Sequence, residues 1–264
     1  MTYEQLLNAQ KKYGSEKSDI CRYALSADVE EIRENVILAP CWVPQSMPEM
    51  GNATLLSTAK NANIKVYDVE KNGKYFSYIN TGIGGPMVTE AVLALGTTKC
   101  KNVLLLGSVG AADENFEIGD LIVAKSAING LGTPFYMMQD CISGENMMGK
   151  EIFPDKDFTE KVLATIDKNC HHASVFSTDS LFCQFAHMDE IMGFGAKAMD
   201  MEAAAVFCAA NLAGIKAAAL FAVSDSTAKN KSLVSGRQED ELSHYRNVRK
   251  KIIPEIIHKL FDLK

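Results

Sequence analysis

From Asn35 onward the chain alternates short apolar runs with amphipathic stretches, so its hydrophobic rhythm switches repeatedly between that of a strand and that of a helix. The run Asn35 to Ala39 (NVILA) is continuously apolar and is closed by Pro40, which predicts a buried strand. Lys74 to Ile79 follows the turn signal Asn72-Gly73 and predicts a second. A helix over Met87 to Leu95, a strand at Val103 to Leu106, a glycine-rich turn and a strand at Asp120 to Ala124 come next. After an irregular stretch the pattern predicts a helix over Phe158 to Asn169, a strand at Ala173 to Phe176, a helix over Met201 to Ala213 and a strongly apolar strand at Ala217 to Val223. A long helix from Gln238 to Phe261 ends the chain, and Pro254 should kink or divide it. This order predicts an α/β fold, a single domain with a mixed central β-sheet flanked by helices. Residues 1–34 read as a charged helical accessory segment, with Ile20, Tyr23, Leu25, Val29 and Ile32 at roughly helical spacing, and residues 35–264 as the core domain.

Composition narrows the partners. Of 264 residues 47% are apolar, enough for a large buried core. A formal net charge of -6 argues against a broad basic surface for nucleic acid or anionic membranes. No apolar run approaches the roughly 18 to 20 residues that span a bilayer, and the polar N-terminus lacks a signal-peptide core, so a cytoplasmic location without a membrane partner is expected. The seven cysteines, Cys21, Cys41, Cys100, Cys141, Cys170, Cys183 and Cys208, lack CxxC or Cys/His ligand spacing. They predict reduced packing residues and neither a disulfide framework nor a metal site.

In sheets of this kind ligands gather beyond the carboxyl ends of strands. Three such ends carry suggestive residues: Thr81 to Pro86 (TGIGGP), which includes Gly84; Gly107 to Ala111 (GSVGA), with Gly107 and Ser108; and Ser224-Asp225-Ser226. Each also fits plain turn chemistry when taken alone. Met199 to Ala205 (MDMEAAA) sets carboxylates at the start of a small-residue helix, where Glu202 suits the helix dipole and Asp200 suits a cap as readily as either suits a ligand.

Together GSVGA, the MEAA stretch and the Ser-Asp pair, at these separations, resemble the nucleoside phosphorylase family, which includes hexameric purine nucleoside phosphorylases, uridine phosphorylases and methylthioadenosine nucleosidases. The likeness runs from about Asn35 to Lys259. TGIGGP is most similar to the uridine enzymes, whereas Ser177 to Ser226 resembles the purine enzymes. The resemblance implies cleavage of the N-glycosidic bond of a purine nucleoside with inorganic phosphate as co-substrate, giving free base and ribose 1-phosphate. It implies no metal or organic cofactor, and a homo-oligomer, dimeric or hexameric. It assigns Glu202 and Met201 to the ribose, Asp225 to protonation of the leaving base with Arg237 assisting, Phe182 to the base, Gly84 and Ser224 to the substrate, and Gly107 and Ser108 to phosphate. For Phe182 core packing, and for Arg237 a solvated charge, are equal rivals.

The chain departs from the family where phosphate binds. The family's GDPxR loop is replaced by Ala39 to Pro44 (APCWVP), its arginine before the GSxGA glycine is Leu105, and no arginine occurs between Arg33 and Arg237. Lys60 or Lys65 falls where the family supplies a basic residue across a subunit interface, and the family's N-terminal histidine has no counterpart before His171. Guanidinium forks suit phosphate far better than other side chains do. A hydrolytic nucleosidase is therefore an alternative, with Glu49 as a stand-in for the water-positioning glutamate. A non-catalytic nucleoside-binding protein is a further one.

Overall fold

The computed structural model describes residues 1–57, 62–138, 140, 144–167 and 170–263. The N-terminal segment forms helices α1 (Tyr3–Lys12) and α2 (Lys17–Leu25), followed by β1 (Asn35–Leu38), β2 (Asn52–Leu55), β3 (Lys65–Lys71) and β4 (Lys74–Asn80). Next come α3 (Gly85–Leu95), β5 (Asn102–Ala111), β6 (Leu121–Gly130), β7 (Glu151–Ile152), α4 (Lys156–Ala164) and β8 (Cys170–Thr178). The chain continues through α5 (Met188–Gly193), β9 (Ala198–Asp200), α6 (Ala203–Ala213) and β10 (Lys216–Ser226) to α7 (Glu239–Asn247) and α8 (Ile253–Leu260).

The strands make one mixed sheet. β5, β10, β6, β8 and β9 pair in turn and β9 returns to β5, so these five close into a ring, while β1, β4, β3 and β2 extend from β5 as an open arm. Closure removes the exposed edges that the longest strands would otherwise present. Along its first half β5 lies between β1 and β10; at Gly110 and Ala111 β9 takes the place of β1. On that side no strand pairing links Leu106 to Val109 among the described residues, and this gap is the floor of the cleft described below.

Helices cover both faces. One core joins the sheet to α2, α3 and α6, and the other joins it to α4 and α8. α6 is alanine-rich and buried nearly all round, because it is wedged between α3 and the sheet, where larger side chains would not fit. Four described cysteines, Cys21, Cys100, Cys170 and Cys208, are wholly or partly buried, Cys41 and Cys183 are exposed, and Cys141 lies outside the described residues.

The mixed α/β sheet flanked by helices matches the expectation, with two differences that have physical causes. First, GSVGA is not a turn: β5 continues through Gly107 to Ala111 because β10 pairs with it along that whole length. Second, β10 likewise runs on through Ser224 and Asp225, with its register shifted by a bulge between Val223 and Asp225. The last helix is divided just before Pro254, as expected, into α7 and α8. A π-helical stretch, Val248–Ile252, precedes the proline, and the Ile253 N–H reaches back to Val248 O, so the ladder is reset before the residue that lacks a donor. The helix predicted to reach Asn169 ends at Ala164, and its last expected positions lie outside the described residues.

The loop after β1 is held from β4. Asn80 Nδ2 reaches the carbonyls of Ala39, Pro40 and Trp42 at 2.8, 3.1 and 3.2 Å, and Tyr78 Oη donates to Trp42 O at 2.9 Å. Asn80→Ala leaves these carbonyls short of donors and is expected to cost about 1–3 kcal/mol in urea unfolding. Trp42, the single tryptophan, should shift its emission to the red as the loop loosens; unchanged stability and emission would contradict this role.

Candidate active site

The carboxyl ends of β5 and β10, the start of α6 and the loop after β10 surround a cleft of about 690 Å³. Its wall at α6 is built on two buried carboxylates two residues apart. Asp200 ends β9 and is satisfied on three sides: Ser177 Oγ donates to Oδ1 at 2.6 Å, and the N–H groups of Ala203 and Glu202 donate to Oδ2 at 2.6 and 3.2 Å. It thus supplies the acceptor that the free N–H groups at the start of α6 need, next to the positive end of the helix dipole. Ser177 Oγ also accepts from Ala204 N at 3.0 Å and ties β8 to the same turn.

Glu202 has a different set of partners. Its Oε1 accepts one bond, from Gly84 N at 2.7 Å. Gly84 has φ +110, a conformation that favours glycine, and this backbone turns its N–H toward the carboxylate. Burial, and then the neighbouring Asp200 carboxylate, push the Glu202 carboxyl above its ordinary range. Burial raises Asp200 too, against its three donors. With the stronger hydrogen-bond support, Asp200 is the member that carries the charge, and Glu202 holds the proton longer.

Asp225 faces the cleft from the opposite strand end. The bulge in β10 re-aims it, a use of bulges familiar beside functional sites. Gly110 gives it room, since a Cβ there would lie 3.0 Å from Asp225 Oδ2. Ser224 Oγ donates to Asp225 Oδ1 at 2.6 Å. Burial raises the Asp225 carboxyl, opposed by that bond and by the charge of Arg237. Arg237 makes no hydrogen bond to Asp225; it donates to Ser224 O at 3.2 Å and to Leu233 O, bracing the backbone behind the carboxylate.

The structure brings Glu202, Met201, Asp225, Ser224, Arg237 and Ser108 into this cleft, with Gly84 at its edge through Glu202. Two expected site residues fall elsewhere. Phe182 is 92% exposed and does not line the cleft, while Leu181 and Phe185 on either side of it do. Gly107 is buried within β5, where an added Cβ would meet the Phe221 ring at 3.8 Å, so strand alternation turns it away from Ser108. Glu49 is exposed outside the lining, Lys65 is exposed at the start of β3, and Lys60 lies outside the described residues. Among the described residues no group of three His, Cys, Asp or Glu side chains is arranged to hold a metal.

Cys41 and Tyr245 are among the lining residues that the sequence pattern did not assign to the site. Cys41 is carried in by the loop after β1 and lines the cleft with Ser108. Tyr245 on α7 sets its hydroxyl 2.6 Å from Ser108 Oγ across 137 residues of sequence. No local signal marks this contact, because it depends on how the last helix packs.

Comparisons with known proteins show the family and the fold. A family model described as the phosphorylase superfamily matches residues 45–258. A guanosine phosphorylase of Halorubrum lacusprofundi is 28% identical over 185 residues, covering 69% of this chain and 71% of that protein. A DeoD-type purine nucleoside phosphorylase of Aliivibrio fischeri is 28% identical over 192 residues, covering 68% and 74%. In fold, the chain matches the crystal structure of a uridine phosphorylase from Vibrio fischeri with TM-score 0.68 at 21% identity, covering 90% of this chain and 94% of that one. It matches an AMP nucleosidase from Bacteroides thetaiotaomicron with TM-score 0.67 at 15% identity, covering 91% and 94%.

The carboxyl pair has a consequence for stability. Between the ordinary glutamate value of 4.5 and its raised value, folded Glu202 keeps a proton that the unfolded chain has released. The folded state then binds more protons, so unfolding free energy falls as pH rises through that window. Glu202→Gln cannot titrate and should flatten the decline between about pH 5 and pH 8 by about 1 kcal/mol or more in urea unfolding. Parallel pH profiles for both proteins would contradict the assignment.

Proposed function

Because the chain belongs to the phosphorylase superfamily, we propose that it cleaves the N-glycosidic bond of a purine nucleoside and releases the free base. The observation that carries this reading is the pairing, across one cleft, of a buried glutamate held by a backbone N–H with a half-buried aspartate whose carboxyl is raised by desolvation. Breaking the bond builds positive charge on the sugar and negative charge on the departing base, and a site for this reaction must meet both.

In this proposal Glu202 binds the ribose hydroxyls with the oxygen that Gly84 leaves free, and its carboxyl lies beside the sugar as positive charge develops. Met201 packs against the sugar. Asp225, whose carboxyl desolvation raises, donates a proton to the base as the C1′–N9 electron pair moves onto it. Ser224 and Arg237 fix the orientation of that donor. Leu181 and Phe185 take the place at the base that the sequence suggested for Phe182. The proposed reaction uses no metal or organic cofactor. Assembly of copies of this chain is part of the proposal and is supported by apolar side chains exposed around the cleft, Ile83, Phe182, Leu233 and Val234.

Base release from adenosine, guanosine and inosine, followed by chromatography, tests the reading. Glu202→Gln and Asp225→Asn should each lower the rate by more than about tenfold while the far-ultraviolet circular dichroism stays that of the parent, as for groups acting in the transition state. Wild-type rates in both variants would remove the assignment. A second expectation separates neighbours: Phe185→Ala should raise KM severalfold, whereas Phe182→Ala should leave it within about twofold, because only the first lines the cleft.

A further inference from the structure

The floor of the cleft carries an inference that rests on the proposed cleavage and names its acceptor. Strand register sets Ser108 opposite Ala222, two residues deeper along β5 than Gly110, which stands opposite Asp225. At about 3.3 Å per residue, Ser108 lies some 6–7 Å below the level of the base-protonating group. An acceptor must approach C1′ from the face opposite the leaving base. The floor, where Cys41, Ser108 and Tyr245 meet, is therefore its place.

The chemistry of that floor is neutral with carboxylates close by. Its three polar side chains are a thiol, an alcohol and a phenol. Desolvation at the cleft wall raises the Cys41 thiol, and burial the Tyr245 phenol, above their ordinary values, so both stay uncharged at neutral pH. The two cations that line the cleft, Lys231 and Arg237, stand with the loop after β10 and are committed elsewhere: Lys231 Nζ to Glu241, Arg237 to the carbonyls of Ser224 and Leu233. Arg249 does not line the cleft; its guanidinium carbon lies 6.0 Å from the centre of the Tyr245 ring. Ser108 Oγ, the hydroxyl best placed to receive an anion, is already bonded to Tyr245 Oη at 2.6 Å. A phosphate anion here would lose its hydration with no uncommitted cation among the described residues that line the cleft, which is unfavourable. Water needs only donors and acceptors, and the hydroxyl pair offers both.

We infer that the Ser108–Tyr245 pair at the cleft floor holds a water molecule as the acceptor, so that the enzyme hydrolyses its nucleoside, with Tyr245 as the residue that excludes phosphate. In the step, the C1′–N9 bond breaks with its electron pair leaving on the base, which takes the Asp225 proton. The water oxygen bonds to C1′ and its surplus proton passes to solvent, from which Asp225 recovers one. The products are free base and ribose, and the sequence expectation of phosphorolysis gives way to its hydrolytic alternative.

The test is turnover of adenosine, guanosine and inosine by the full chain in 18O-water, with and without inorganic phosphate, with the sugar product read by mass spectrometry. Free ribose carrying the label at C1, at a rate that phosphate leaves within about twofold, is expected. Phosphate should change neither the melting temperature nor the emission of Trp42, which adjoins Cys41. Tyr245→Phe should lower kcat by about tenfold, the size of one lost transition-state hydrogen bond, while KM for the nucleoside stays within about twofold. Base release that requires phosphate and yields ribose 1-phosphate overturns the inference and leaves the proposed cleavage intact. Absence of base release from every nucleoside overturns both. A Tyr245→Phe protein with parental kcat overturns the role given to Tyr245.

Discussion

A carboxylate taken out of water must be given hydrogen-bond donors or must keep its proton, and the rim of this sheet is organised around that constraint. Asp200 receives three donors, two of them N–H groups that the start of α6 leaves free. Glu202 receives one, from Gly84, and Asp225 receives the Ser224 hydroxyl. The difference in support separates the pair at α6: Asp200 carries charge and fixes the helix, while Glu202 keeps its proton to higher pH. Small residues follow from the same demand. Gly84 turns its N–H toward Glu202, and Gly110 leaves the space into which Asp225 projects.

The ring of strands explains why these groups meet. β5 changes neighbours midway, from β1 to β9, and the gap between them opens the sheet at Ser108. The bulge in β10 then aims Asp225 across that opening, while β9 delivers Asp200 and Glu202 from the other side. Long-range pairing thus does the positioning, and the alanine-rich α6 holds the turn because its small side chains let it lie against both α3 and the sheet.

Much of this was legible in the sequence, for identifiable reasons. Apolar runs such as Ala217 to Val223 mark buried strands directly, and MDMEAAA marks a helix start whose acids were expected to be either caps or ligands. In the structure Asp200 takes the cap's part and Glu202 faces the cleft. Glycine misled the reading of β5, because GSVGA has turn composition but is paired with β10 over its whole length. Phe182 was placed by position within a motif, yet a shift of three residues around the following turn puts Phe185 in the lining instead. Cys41 sits in the Ala39 to Pro44 loop that stands where the family binds phosphate, but Tyr245 carries no such sign: its contact with Ser108 spans 137 positions in sequence, and nothing near either residue announces the partner.

The most direct measurement of the account is a crystal structure of the protein with a purine C-nucleoside, whose carbon–carbon link between sugar and base resists cleavage. The account predicts the ribose hydroxyls on the Glu202 carboxyl, the N7 edge of the base facing Asp225, and C1′ above the Ser108–Tyr245 pair. A ligand bound away from these residues, for instance in the apolar cavity of about 700 Å³ that α1 roofs beside Tyr3 and Leu93, would contradict it.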